Sequence, residues 1–133
     1  MKMTSRMSRR QFVGGAASAA ALAASRPLPA LAQAAPRFKI IGFTKPFAHL
    51  NFDDTADLVA EVGWDGIECG VRSKAGHIAP ERVEEDLPKM VEALKKRDKE
   101  LVIVATEITK IDPLAEKVLR TTAGLGIRKY RLG

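Results

Sequence analysis

The 133-residue chain has one cysteine, two histidines and no acidic residue in its first 34 positions. Each shortage excludes something. A lone Cys69 cannot form a disulfide within the chain, even in a compartment that would permit one. It sits in an apolar run and reads as a small buried hydrophobe rather than a nucleophile. The longest weakly polar stretch, Phe12 to Ala24, is about 13 residues of mostly Ala and Gly, too short and too weakly apolar to span a bilayer. No Gly-rich phosphate loop is present. Gly14-Gly15 falls in the first 34 residues and Gly124-x-Gly126 follows a helical pattern, so neither is a dinucleotide fingerprint. No Ser-His-Asp arrangement is indicated.

What stands at the start is a basic segment ending at Arg10, then the uncharged run, then the small-x-small sites Ala30-Leu31-Ala32 and Ala32-Gln33-Ala34. That order is the layout of a cleaved export signal. Ser8-Arg9-Arg10-Gln11-Phe12-Val13 resembles the twin-arginine signal, which implies the twin-arginine translocase as a partner and a periplasmic or secreted destination. Residues 1–34 are read as the signal peptide and 35–133 as the mature domain. Five of the 22 basic residues lie in the leader. The remainder therefore carries 17 basic against 16 acidic residues, a net +1. The sequence pI near 9.7 is thus mostly a targeting feature, and no nucleic-acid partner is expected.

The 99 residues after the leader suffice for one small domain. They alternate in pattern. Strands are expected at 38–44, 64–70, 100–108 and 129–133. A helix over 51–63 has Ala56, Val59 and Val62 on one face, Asn51 or Asp53 as cap and Gly63 as stop. In "ERVEEDLPKMVEALKKRD" the stripe is Val83, Leu87, Met90, Val91 and Leu94, with a short turn first and the main helix from about Asp86, so that Pro88 falls in its first turn. A third helix opens at Asp112-Pro113, its buried stripe Leu114, Ala115, Val118, Leu119 and Thr122. The junctions "LVAEVGWDGIECG" and "LRTTAGLGIRKYRLG" echo one another. Repeated βα units fit a doubly wound sheet or part of a (β/α)₈ barrel, and periodicity alone does not separate the two.

The segment "GFTKPFAHLNFDDTADLVAEVGWDGIECGVR…GHIAPERVEEDLPKMVEALKK", and "GWDGIE" above all, resembles the first half of a sugar phosphate isomerase/epimerase-like protein. The resemblance covers Phe38 to Gly133. It implies an α/β fold, the N-terminal half of a xylose-isomerase-like TIM barrel with about four strands and three helices. Such barrels have eight strands and about 250 residues. The resemblance further implies a metal-dependent isomerase, epimerase or lyase, in which a divalent metal (Mn, Mg or Zn) polarises a hydroxyl–carbonyl pair while carboxylates move a proton. Its metal ligands come from later strands, so these residues alone are expected to be inactive, with open sheet edges prone to self-association. The alternatives are a non-catalytic sugar-binding module or an inert fragment. Export favours a free sugar or oxidised glycoside over a sugar phosphate, since phosphorylated metabolites are mostly cytoplasmic.

Candidate site residues lie at strand C-terminal ends, where barrel sites form. Glu68 closes the second strand and His77 follows in the loop leading from it; these are the catalytic candidates. Lys45, Phe47 and His49 follow the first strand, and Glu107 ends the third; these are the substrate-binding candidates. Each has an ordinary alternative as a solvated or packing side chain. Arg131 stands near the same mouth with nothing requiring it there. Trp64 reads as packing at the bottom of the sheet. No metal ligand is assigned.

Overall fold

The computed structural model describes residues 38–133. The leader reading concerns 1–34 and lies outside them. The described residues alternate strand and helix: β1 (Ile41–Phe43), α1 (Phe52–Glu61), β2 (Gly66–Val71), α2 (Val83–Lys95), β3 (Glu100–Thr106), α3 (Pro113–Gly124) and β4 (Lys129–Arg131), with short 3₁₀ turns at Lys45–Phe47 and Pro80–Arg82. The four strands form one parallel sheet in the order β1-β2-β3-β4. The chain is α/β, with four parallel strands and three helices.

The helix ends follow from side-chain chemistry. Asn51 Oδ1 accepts from the Asp54 amide at 2.8 Å, so Asn51 rather than Asp53 caps α1. Asp112 Oδ1 accepts from the Ala115 amide at 2.8 Å, with Pro113 at the first helical position. The echoed junctions share one geometry. Gly63 and Gly126 have φ of 76° and 77°, and the amides of Trp64 and Ile127 reach back to Val59 O and Thr122 O. Asp98, at φ 55°, makes the same turn after α2, with the Lys99 amide on Leu94 O.

Two expectations change in detail. α2 starts at Val83, three residues before Asp86, and Pro88 stands inside it. Glu84, Glu85 and Asp86 occupy the first turn, where carboxylates suit the positive helix end, and Arg82 clamps Asp86 through Nε at 2.8 Å. The helix therefore forms early, and Pro88 leaves one intrahelical hydrogen bond, to Glu84 O, unmade. The outer strands are also shorter than expected. β1 pairs with β2 only from Ile41 to Phe43, and the Ile40 amide goes to the Asp65 carboxylate instead of the ladder.

Alternation and register assign the two faces of the sheet. Ile67, Cys69 and Val71 point one way with Leu101 and Val104. They share one core with Ala56 and Val59 of α1, Leu87, Met90 and Leu94 of α2, and Val118 of α3. A bulge in β3 at Val102 lets Leu101 and Val104, three apart, face the same core. Leu114 and Leu119 are half-buried beside Ala115, Val118 and Thr122, and Val62, the C-cap of α1, is exposed. Ion pairs from Arg97 to Asp53 and Asp57 fasten α2 to α1. The opposite face of the sheet carries Phe43, Glu68, Ile103, Ala105 and Arg131 by register. Consecutive parallel strands joined by right-handed crossovers put every helix on the same side. A doubly wound sheet needs the strand order to reverse, and the described strands do not reverse.

Candidate functional site

Parallel strands bring the exits of all four to one rim. Glu68 is one of the residues placed there. It stands on β2 opposite Phe43 of β1 and Ile103 of β3, on the face the helices leave uncovered. Its side chain is 20% exposed, and its Oε1 lies 2.7 Å from Arg131 Nη2 in an ion pair without good hydrogen-bond geometry. The Arg131 guanidinium also lies over the Phe43 ring, 5.2 Å from its centroid, at a distance suited to a cation–π contact. Thr106 Oγ1 donates to Arg131 O and helps to fix β4. Carboxylate, guanidinium and ring thus form one cluster drawn from three strands.

His77 is turned elsewhere. Its Nε2 lies 3.0 Å from Leu50 O and 3.3 Å from Thr55 Oγ1, and its ring is 6.0 Å from that of Phe52. The Thr55 hydroxyl donates to Asn51 O, so Nε2 carries the proton and Nδ1, buried and without a partner, is the bare nitrogen. Burial pushes the His77 pKa below its ordinary value; the Leu50 bond opposes this and His49 adds to it. Glu68 and His77 share no partner.

The substrate-binding candidates divide in the same way. Lys45 and His49 are exposed at the exit of β1. Phe47 packs on Trp64, ring centroids 5.8 Å apart. Trp64 in turn covers Gly42, where a Cβ would lie 1.9 Å from the indole. Glu107 follows β3 and accepts from both the amide (2.9 Å) and the hydroxyl of Ser73. Those Ser73 bonds hold its carboxyl below the usual range, helped by the charges of Arg72 and Lys74. Glu107 also borders a cavity of about 140 Å³ between the exit of β3 and the start of α3, lined with Val71, Thr106, Ile108, Lys110 and Asp112. None of the other candidates lines that cavity. The Glu68 cluster is preferred as the site because it joins three strands and carries opposite charges on an uncovered face.

Among the described residues no three His, Cys, Asp or Glu side chains converge on a point where they could hold a metal ion. Glu68 is paired with Arg131, His77 faces Leu50, and Glu107 is bound to Ser73. Cys69 is fully buried and its thiol is pushed up to about 12 by burial. It is a core side chain. No helix among the described residues is long and apolar enough to cross a membrane.

The partners are what the sequence hides: Arg131 stands in it without a role, and nothing in the local pattern singles out Phe43, Ser73, Leu50 or Thr55. Their only signal was their place next to strand exits and a helix start. The sequence matches no protein-family model and no curated protein.

Proposed function

We propose that the chain is the first half of a xylose-isomerase-like (β/α)₈ barrel of the sugar phosphate isomerase/epimerase kind. In this reading it is exported and takes a sugar or sugar derivative on the uncovered face of its sheet. The observation that carries the proposal is the strand order. Four parallel strands in unreversed sequence, with all their helices in one core, leave the other face to line a barrel interior. The Glu68–Arg131 pair and the Phe43 ring stand on that face toward the strand exits. Polyols are recognised by such a combination: a carboxylate accepts from adjacent hydroxyls, a guanidinium donates to them, and an apolar ring covers their C–H edges. Lys45 and His49 stand on the same rim and would reach a polar substituent.

Among the described residues the donors on these four strands do not converge on a position for a metal. The ligands and the second carboxylate of an isomerase would come from other strands of the barrel. For residues 38–133 taken alone, that same observation favours sugar binding without turnover.

The test is ligand-observed NMR of the full chain with a panel of aldoses, ketoses and uronic acids. Binding that weakens at least tenfold in Glu68→Gln and is unchanged in Glu92→Gln, on the outer side of α2, is the expected result. No binding, or equal binding by both variants, removes the sugar reading. The export reading is tested separately. Changing Arg9 and Arg10 together to Lys should hold precursor in the cytoplasm, and equal export of that variant would refute the twin-arginine assignment.

A further inference from the structure

Besides the bond from Arg72 Nη2 to Gly133 O at 2.8 Å, the loop between β2 and the 3₁₀ turn at Pro80 is fastened at three points. The amides of His77 and Ile78 both donate to Gly70 O, at 2.8 and 3.1 Å. Ser73 donates twice to Glu107 on the β3 side. The third fastening is the His77 side chain, which crosses to the start of α1 and donates to Leu50 O. Between these points the backbone is tight. Ala75 is held at φ 54°, and a Cβ on Gly76 would lie 2.5 Å from Arg72 O. The residues from Ser73 to Ala75 are exposed on the rim where the candidate site stands.

We infer that His77 is an acid-released latch: its neutral ring locks the loop 72–78 against the start of α1, and proton uptake at Nδ1 frees that loop. The geometry gives the reason. A proton on Nδ1 creates a donor in a buried position with no acceptor, and a charge where Phe52 and Thr55 offer no compensation. The N-terminal end of α1, with its positive dipole, opposes that charge as well.

The charged groups on the surrounding elements do not offset it. His49, before α1, adds repulsion. On α1, Asp53 is held by Arg97 and Asp54 by Asn51. On the loop itself the charged groups are Arg72 and Lys74, both positive. From β3, Glu107 is occupied by Ser73, and its lowered pKa keeps it ionised through the range in which a histidine titrates. The sign is therefore fixed. A folded-state imidazole pKa below 6.5 means the locked form is favoured above that value and lost as pH falls through the lowered one.

Hydrogen exchange of the full chain tests it. Between about pH 7 and about pH 5, protection of the segment 72–78, corrected for the intrinsic rate, should fall at least about tenfold, while the segment 101–106 in β3 keeps its protection. In His77→Asn, which has no titrating ring, the pH dependence of 72–78 should vanish. Equal wild-type protection at both pH values, or an unchanged pH dependence in His77→Asn, overturns the latch. If that variant does not fold, the imidazole titration of the wild-type chain decides, with His49→Gln separating the two histidine signals. A His77 pKa at or above 6.5 overturns the proposal, and one below it with loss of protection supports it.

Discussion

The two faces of the sheet are built from alternate residues of the same strands and have opposite chemistry. On the helix side Ile67, Cys69 and Val104 are wholly buried. On the other side Glu68 and Arg131 form an ion pair above Phe43, and Ile41 and Ile103 are only partly buried. Burial of apolar surface holds the first face together. The second contributes little to that burial and carries charge. Stability and chemistry are separated by one step along a strand, because neighbouring residues point to opposite sides.

The largest loss is expected on the covered side. Leu87 is fully buried in α2, and Leu87→Ala should cost about 2–5 kcal/mol. Ile103→Ala, on the uncovered face, should cost about 1 kcal/mol or less, since its side chain is only partly removed from water. Urea unfolding of both variants checks the pair, and equal losses would mean that both faces are packed. Next in size is Gly42→Ala. The new methyl would overlap the Trp64 ring, so a loss of about 1–3 kcal/mol is expected. Because Trp64 is the only tryptophan, a shifted emission maximum should accompany that loss.

Arg131→Gln reverses the order of effects. Arg131 is 53% exposed, and partly exposed ion pairs contribute about 0–1 kcal/mol, so stability should hardly change. Sugar binding should weaken in the same variant, as in Glu68→Gln. A large stability loss with unchanged binding would make the pair a structural brace instead.

Smaller still is the effect at Cys69. With its pKa at about 12 and no exposure, its labelling by a disulfide reagent at about pH 8 should proceed only as fast as the chain opens. Rapid labelling of folded protein would show that the covered face is not closed. The smallest effect belongs to Glu107. Its lowered pKa means that its hold on Ser73 is present above 4.5 and lost as pH falls through the lowered value. Ser73→Ala should raise the Glu107 pKa toward the ordinary value, read by carboxyl NMR titration, with no resolvable change in melting.

Most of the fold was legible because the covered face repeats itself in sequence. Val83, Leu87, Met90, Val91 and Leu94 are all buried, and the Asp112-Pro113 and Gly63 signals fall where a helix starts and stops. Local chemistry decides those features. α2 starts ahead of Pro88 because three consecutive acidic residues and the 3₁₀ turn before them outweigh the proline. The candidate site was legible only in part. Glu68 is marked by its place at the end of a strand, but its partner lies 63 positions away, and register between β2 and β4 is not written in either strand. His77 shows the same limit. Its loop suggested the rim, whereas Leu50 and Thr55, on a segment that packs there only in three dimensions, turn its ring away.

One face of the sheet is closed and the other open, and hydroxyl-radical labelling read by mass spectrometry measures that division most directly. Met90 is intrinsically more reactive than phenylalanine but fully buried, whereas Phe43 is only partly covered by Arg131. In dilute solution Phe43 should be oxidised at least about tenfold faster than Met90. Met90 reacting as fast as Phe43, or Phe43 remaining silent while Met90 reacts, would contradict the division of the sheet into a closed face and an open one.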